Sequence, residues 1–284
     1  MPDLAWIDGD VMPLTEARVS YLDHGYFYGY GVYEACKAFA GKIYALAEHM
    51  ARLNKSLRAL EIRPELSGAA LRRCMEELVA YSGYAEAFLY LQITRGVGWR
   101  GPGRPAGPPF TTMFVTELES MSAEEWDAGV AALTLPDERW AHPDIKSLNL
   151  LPNILAKEKA LAAGAQEAIF YNDRDWVTEA ASSNVFAVSA GGEIVTPPLD
   201  GHILAGVSRL LVLRRARADK IRIKETILKR AELARAAEIF ITGTGAEIIP
   251  VTRLDGAQIG AGRAGTWTRR LYDSFLQAKK AFIA

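Results

Sequence analysis

The chain has 284 residues, half of them hydrophobic, with 33 Lys and Arg against 34 Asp and Glu. This length suits two domains or one large one, and the near-neutral charge gives no support to nucleic-acid or anionic-membrane binding. The N-terminus has no apolar signal core, and no run of ~18 apolar residues occurs, so we expect a cytoplasmic protein. The two cysteines and four histidines are not at zinc-site spacing. We therefore expect reduced thiols and no metal site.

The first half of the chain alternates predicted strands and helices. Residues 31–40 read as a strand whose alternation places Tyr33, Ala35 and Lys37 on one face. Leucines and a methionine at helical spacing predict a helix over residues 47–60, with Arg52 about 120° away from this apolar stripe. The remaining elements are a helix over 67–81 and strands over 88–94 and 110–116.

A loop rich in glycine and proline separates the last two of these strands. Between Gly96 and Pro109 the density of Gly and Pro excludes a helix or a central strand. Loops of this length inside a compact domain are often functional. We therefore regard this loop as a candidate functional segment.

The second half adds further strands and helices. A polar break predicts a linker at about residues 119–122, which gives a small domain over 1–118 and a large domain over 123–284. Strands are predicted over 130–135, 168–171, 185–188 and 238–242, and helices over 152–163, 208–218, around Glu232 and over 267–281. The fold class is mixed α/β, of the α+β kind.

Lys146 stands out because it lies in the apolar segment Ile145-Lys146-Ser147-Leu148. Loss of solvation favours the neutral form of a lysine, which is a nucleophile toward aldehydes. A lysine at a strand end whose ammonium reaches water is the alternative. On this feature alone both interpretations remain open.

Three further features are candidate anion sites. Gly206-Val207-Ser208 opens a predicted helix, whose free amides and dipole suit a phosphate. Gly243-Thr244-Gly245 follows a strand and offers amides and a hydroxyl. Arg52 lies off the apolar stripe of its helix, although a solvated arginine is the plain alternative.

Glu179 precedes a run of small residues that leads into a strand. A glutamate beside a pyridine nitrogen would keep that nitrogen protonated, which makes pyridoxal phosphate (PLP) an electron sink. A surface glutamate in a turn is the simpler alternative for this residue considered alone.

Five fragments in order nevertheless resemble the class IV (fold type IV) PLP-dependent aminotransferases. They cover nearly the whole chain: residues 23–34 (DHGYFYGYGVYE), 48–53 (EHMARL), 145–149 (IKSLN), 178–186 (TEAASSNVF) and 243–251 (GTGAEIIPV). The family's fold is a small α+β domain and a larger domain with a barrel-like core, and the resemblance implies a homodimer.

The resemblance assigns roles to individual residues. Lys146 would carry PLP as a Schiff base and act as the catalytic base, while Glu179 would pair with the pyridine nitrogen. The other cofactor-binding residues it implies hold the phosphate or line the ring, and they are Arg52, Ser182, Ser183, Val207, Ser208 and Thr244.

Within the family the chain looks most similar to D-amino-acid aminotransferases. The substrate-binding residues this implies are Tyr33, Lys37, Arg100, Thr244 and Gly245. In that branch a tyrosine, an arginine and a histidine bind the substrate carboxylate. Tyr33 and Arg100 match the first two, but Pro102 stands at the histidine position.

The expected reaction is transamination of donors such as D-alanine or D-glutamate with a 2-oxo acid acceptor. An (R)-amine transaminase, a branched-chain aminotransferase and an aminodeoxychorismate lyase remain alternatives. All would share Lys146 and Glu179, so these residues do not separate them. A non-catalytic PLP-binding protein is a further alternative, although it need not keep both residues together.

Overall fold

The computed structural model describes residues 3–103, 105 and 107–283. The chain divides into two compact units, and the boundary between them is crossed more than once along the sequence. The first contains the residues up to Glu119 together with Ile145–Asn149, and the second contains Ser120–Asp144 and Leu150–Phe282. The predicted α/β class is confirmed, with one β-sheet in each unit.

The first unit contains an antiparallel sheet of six strands. They are β1 (Leu4–Ile7), β2 (Asp10–Pro13), β3 (Gly31–Phe39), β4 (Lys42–Ile43), β5 (Glu86–Thr94) and β6 (Phe110–Glu117). Their order across the sheet is β2-β1-β6-β5-β3-β4. Alternate residues of β3, β5 and β6 are buried, so one face of the sheet belongs to the core.

Helices cover that buried face. A 3-10 helix (Leu14–Glu16) and α1 (His24–Tyr28) precede α2 (Leu46–Ala59) and α3 (Gly68–Ser82). Leucines of α2 and α3 share one apolar cluster with the inward residues of β3 and β5. The hydroxyl of Ser67 caps the start of α3, and Gly83, with φ of 65°, ends it.

The segment around Lys146 extends the first unit, although it follows a stretch of the second. Ser147 bridges Val32 in antiparallel fashion, and the amide of Leu148 donates to the carbonyl of Gly31 at 3.0 Å. These hydrogen bonds to β3 explain why Lys146 lies with the first unit, whereas the predicted domain bounds included it in the large domain. A single cut in the sequence cannot represent such a return of the chain.

The second unit contains a mixed sheet of nine strands. They are β7 (Val130–Pro136), β8 (Glu167–Tyr171), β9 (Val177–Ala180), β10 (Asn184–Val188), β11 (Ile194–Thr196), β12 (Ile223–Glu225), β13 (Glu238–Gly243), β14 (Glu247–Leu254) and β15 (Ala257–Gln258). The order is β12-β11-β10-β13-β14-β7-β8-β9, with β15 on β14. The terminal strand β9 also contacts β10, so the sheet curls into a half-barrel.

Five helices accompany this sheet: α4 (Ala123–Ala128), α5 (Leu151–Ala162), α6 (Val207–Ala218), α7 (Arg230–Leu233) and α8 (Thr266–Ile283). Pro152 lies in the first turn of α5, as predicted, and Gly164 with φ of 77° follows its end. No helix in the described part of the chain is both long and apolar enough to span a membrane.

Each predicted helix or strand matches an observed one to within two residues at both ends. The eight-residue strand β14 was not predicted. It contains Pro250, and proline argues against a central strand; here Pro250 pairs in register with Phe240. Also not predicted from the sequence were the short elements, which are the 3-10 helix, α1, α4, β1, β2, β4, β9, β11, β12 and β15.

Candidate active site

Lys146 is fixed through its backbone between α2 and β3. Its amide donates to the hydroxyl of Ser56 at 3.1 Å, and its carbonyl accepts from the amide of Tyr33, also at 3.1 Å. The side chain is half-buried, and Nζ lies 4.0 Å from the centroid of the Tyr33 ring. The backbone of Lys146 is therefore fixed by α2 and β3, and its amine lies over the ring of a β3 tyrosine.

Arg52 is buried and paired with Glu34 of β3. Its Nε and one terminal nitrogen donate to the two carboxylate oxygens of Glu34, each at 2.8 Å. Nδ1 of His49 lies 2.8 Å from the same carboxylate. Burial opposes ionisation of Glu34, but Arg52 and His49 together lower its pKa to about 2. The predicted phosphate-binding arginine is thus oriented by a bidentate ion pair.

Sequence reasoning missed Glu34 and His49. The signal was present, because Glu34 occupies a core-facing position of β3, between the buried residues Val32 and Cys36. A charged residue at such a position is almost never left unpaired. The helical wheel placed Arg52 away from the apolar stripe of α2, but that side of the helix is buried against Glu34.

Glu34, His49 and Cys36 place three potential metal-ligand atoms within 4.8 Å of one another. Both oxygens of Glu34 accept from Arg52, so this carboxylate already has a cation. Burial raises the pKa of the Cys36 thiol well above its usual value. The thiol form is a weak ligand, and the group forms an ion-pair network around Arg52.

Tyr33 begins a row of stacked rings on the sheet face opposite the helices. Its ring centroid lies 5.6 Å from that of Tyr90, which lies 5.0 Å from that of Phe114. Burial raises the pKa of Tyr90 to about 12. Lys37, the other predicted substrate residue on β3, is half-buried.

Arg100 is exposed on the glycine-rich loop, and its guanidinium carbon lies 5.6 Å from the centroid of the Tyr28 ring in α1. The loop is anchored at its start, where the carbonyl of Gly96 accepts from the amide of His24 at 3.0 Å. Gly96 has φ of 104° and a Cβ there would lie 1.9 Å from the carbonyl oxygen of Pro108, so only glycine fits. Pro102 is exposed.

In the second unit, Glu179 lies in the buried strand β9 and its carboxylate is surrounded by donors. Nδ2 of Asn184 donates at 2.9 Å, and the amide of Leu204 lies 3.1 Å from both oxygens. Arg139 donates to Oε1 through Nη1. Burial raises the pKa of the Glu179 carboxyl to about 7, while the contact with Arg139 acts in the opposite direction. The alternative of a surface glutamate does not hold.

Gly206 lies directly before α6 and packs closely against Asn184. A Cβ at Gly206 would lie 2.0 Å from Oδ1 of Asn184. The following residues Val207 and Ser208 begin α6 and are buried, and no side chain caps this terminus. The first amides of a helix have no acceptor within it, so this end of α6 suits an anion.

The small residues after Glu179 differ in exposure. Ser182 is exposed, and its hydroxyl donates to the buried carboxylate of Glu167 at 2.8 Å, whereas Ser183 is buried. A Cβ at Gly243 would lie 3.0 Å from the Ser183 hydroxyl. The turn after β13 leaves Thr244 half-buried and Gly245 exposed. The predicted residues of this unit therefore cluster around β9, β10 and the end of β13.

Sequence similarity places these features in a known family. The family model for class IV aminotransferases matches residues 31–254. The chain is 40% identical to D-alanine aminotransferase of Bacillus licheniformis over 265 residues, covering 93% of each chain. It is 35% identical to the D-alanine aminotransferase of Staphylococcus haemolyticus over 272 residues, covering 95% of each.

The fold agrees with solved structures of aminotransferases. The branched-chain amino acid aminotransferase of Escherichia coli superposes with a TM-score of 0.91 at 27% identity, covering 98% of this chain and 94% of the other. A branched-chain amino acid aminotransferase from T.th., solved with pyridoxamine 5'-phosphate, gives 0.89 at 28% identity, covering 97% and 93%. The chain belongs to the class IV aminotransferases.

Proposed function

We propose that this protein is a PLP-dependent aminotransferase that transfers the amino group of D-amino acids, such as D-alanine or D-glutamate, to a 2-oxo acid. The observation that carries the proposal is the half-buried amine of Lys146, held over the Tyr33 ring by backbone hydrogen bonds on both sides of its residue. The sequence similarity to D-alanine aminotransferases supports the D-amino-acid branch.

The residues of the chain fit this cofactor. PLP needs an amine for covalent attachment, a carboxylate for its pyridine nitrogen and donors for its phosphate. Lys146 supplies the amine and Glu179 the buried carboxylate. The uncapped start of α6 at Val207 and Ser208 supplies amides, with Arg52 and Thr244 as further donors. In the described part of the second unit, the Thr242 hydroxyl is buried without a partner, next to the Gly243-Thr244 turn.

The bound cofactor supplies an electron sink for the charge that develops when the donor loses its Cα proton. Nζ of Lys146 would hold the cofactor covalently and, once released, accept that Cα proton as general base. Glu179 would hold a proton on the pyridine nitrogen. Tyr33 and Arg100 would bind the donor carboxylate, with Lys37 and Gly245 as further substrate contacts.

Reductive labelling tests the attachment. Borohydride should fix PLP covalently to a peptide that contains Lys146, and Lys146→Ala should lose both labelling and turnover. Lys157→Ala is the matched control, since Lys157 of α5 is also a half-buried lysine and pairs with Glu167 at 3.3 Å. Labelling of another lysine in the wild-type protein would refute the assignment.

A substrate panel tests the branch. D-alanine, D-glutamate, L-leucine, L-valine and an (R)-aryl amine should each be assayed with pyruvate and with 2-oxoglutarate. We expect D-amino acids to be the best donors. A branched-chain activity is the second candidate, because several structural relatives are branched-chain amino acid aminotransferases. However, the fold is common to the family, and the D-alanine relatives are closer in sequence.

A homodimer is the assembly we propose. α5 exposes the apolar side chains Leu151, Ile154 and Leu155, and the aromatic residues Tyr26 and Trp99 are exposed on the first unit. Exposed apolar patches mark interaction surfaces. Ile154→Glu should yield monomers in sedimentation, whereas Glu158→Gln on the same helix should not. A wild-type monomer with full activity at assay concentration would refute the dimer. The cytoplasmic location of the protein stays a prediction.

A further inference from the structure

Arg139 of the second unit, which the sequence analysis did not identify, follows β7 and is held by several contacts. Asp137, directly after β7, accepts from Nε at 2.8 Å and from Nη2 at 2.7 Å. The carbonyl of His202 accepts from Nη2 at 3.2 Å. The guanidinium carbon also lies 5.0 Å from the centroid of the Phe170 ring. The side chain is only 6% exposed.

These contacts leave Nη1 directed at Glu179, to which it donates. Thr178 donates its hydroxyl to Asp137 at 2.7 Å, which ties the strand of Glu179 to the same group. The guanidinium of Arg139 is therefore held by the carboxylate of Asp137 while it contacts the carboxylate of Glu179. This arrangement fixes the position of the positive charge of Arg139 relative to Glu179.

The other groups facing Glu179 do not supply a contacting cation. Asn184 and the amide of Leu204 are neutral donors, and the negative charge of Asp137 disfavours ionisation of Glu179. Arg209 of α6 interacts with Glu179 electrostatically, while its guanidinium donates to Glu225 and to the carbonyl of Pro197. Arg139 is thus the contacting charge that offsets the burial of Glu179.

We propose that Arg139 is a positioning residue that keeps Glu179 ionised, so that the proton shared with the cofactor resides on the pyridine nitrogen. This inference rests on the proposed function. A buried carboxyl without a cation becomes a better base. The shared proton would then move to Glu179, and a ring with an unprotonated nitrogen is a poorer electron sink. Arg139 acts through Glu179 and has no assigned contact with substrate.

The test measures protonation directly, using holoenzyme reconstituted with PLP that carries ¹⁵N in the ring. The ¹⁵N chemical shift reports whether the ring nitrogen carries the proton, and it is followed against pH. In Arg139→Gln we expect the midpoint of ring protonation to fall by about 1–3 pH units, the range over which an adjacent arginine moves a carboxyl pKa. Arg139→Lys, which keeps a cation, should retain most of the wild-type behaviour.

Two further variants serve as controls for the ¹⁵N measurement. Glu179→Gln should lose ring protonation over the same pH range. Arg230→Gln should not, because Arg230 also pairs with a carboxylate and lies over an aromatic ring, but its partners are Asp175 and Tyr171. Infrared spectra of the protein without PLP give a second readout. The carbonyl band of the protonated Glu179 carboxyl, whose wild-type pKa is about 7, should persist to higher pH in Arg139→Gln than in wild type, and it should be missing from the Arg139→Gln/Glu179→Gln double variant.

The possible failures are distinct. If Arg139→Gln keeps both the wild-type ¹⁵N profile and the wild-type pH dependence of the infrared band while Glu179→Gln loses ring protonation, Arg139 has no such role and the proposed function stands. If Glu179→Gln also keeps the wild-type profile, the assignment of Glu179 in the proposed function fails. Should Arg139→Gln not fold, Arg139→Lys decides: a fully neutral ring nitrogen in that variant would overturn the proposal, and a protonated one would support it.

Discussion

The amine of Lys146 lies 4.0 Å from the centroid of the Tyr33 ring. At this distance an ammonium is attracted to the ring face, with a contribution of about 0.5–2 kcal/mol. Because the Tyr33 amide also donates to the Lys146 carbonyl, the two residues are joined through both backbone and side chain. A tyrosine assigned to substrate binding therefore also positions the proposed catalytic lysine.

We predict that Tyr33→Leu and Tyr33→Phe separate these two roles. Tyr33→Leu removes the ring and should lower kcat by up to about thirtyfold, the equivalent of the ring contact. Tyr33→Phe keeps the ring and should preserve kcat while raising KM for D-alanine, because only the hydroxyl is lost. Steady-state kinetics with Tyr81→Leu, an exposed tyrosine of α3, as control would test this. Equal kcat values in the Leu and Phe variants would contradict it.

The second prediction concerns stability and pH. Glu34→Gln breaks a buried pair and leaves Arg52 without its carboxylate, so the free energy of unfolding should fall by about 3–5 kcal/mol. The folded pKa of Glu34 is about 2, below the reference value of 4.5. The ionised carboxylate therefore stabilises the fold above about pH 4.5, and this contribution is lost as the pH falls toward 2.

Urea unfolding at several pH values measures this effect. The difference in stability between wild type and Glu34→Gln should be largest near neutral pH and shrink below about pH 4.5. Glu65→Gln, at an exposed position after α2, should change little at any pH. A pH-independent difference for Glu34→Gln would show that the substitution acts by packing and not through charge.

The sequence predicted elements well where periodicity is strong. Leu53 and Leu57 predict α2, and the alternation of Tyr33 and Lys37 predicts the orientation of β3, because both patterns are local. The pairing of Glu34 with Arg52 cannot be predicted from such a local pattern. It depends on which side of α2 packs on the sheet. A helical wheel gives the angle between two residues of a helix but does not show which of them faces a strand.

The candidate site shows the same division. Lys146 and Glu179 were proposed as site residues through sequence fragments, but Arg139 was not, since an arginine after a strand has no distinguishing pattern. Its role depends on Asp137 holding the guanidinium toward β9, a contact between residues 40 positions apart. The signal available was Asp137-Glu138-Arg139 directly after a predicted strand, where functional side chains often lie.

The third prediction is that Gly206→Ala weakens cofactor binding. The new Cβ would lie 2.0 Å from Oδ1 of Asn184, so Asn184 must move away from the carboxylate of Glu179. Overpacking of this kind costs about 1–3 kcal/mol in unfolding free energy. Titration with PLP should show a higher Kd, and Gly191→Ala, where a Cβ meets only the Ser189 hydroxyl at 3.8 Å, should bind PLP normally. Unchanged affinity in Gly206→Ala would place the phosphate elsewhere.

The last prediction concerns the carboxylate of the donor. Arg100 is exposed and lies near Tyr28, and the family resemblance predicts a histidine where this chain has Pro102. A hydrogen bond to a charged group contributes about 1.5–3 kcal/mol. Arg100→Ala should therefore raise KM for D-alanine by about 10- to 100-fold. KM for an (R)-aryl amine, which lacks a carboxylate, should change little. In the control Arg63→Ala, the KM values for D-alanine and for the amine should both change little.

Pro102→His is the complementary variant. If a third donor is what this loop lacks, the histidine should lower KM for D-alanine and D-glutamate and leave that of the amine unchanged, because only the amino acids carry the anion it would bind. Equal effects of Arg100→Ala on amino acid and amine would mean that Arg100 acts on the loop and not on the carboxylate. Activity on L-leucine or L-valine with none on D-alanine would overturn the D-amino-acid branch, while leaving the attachment of PLP to Lys146 to be judged by the labelling experiment.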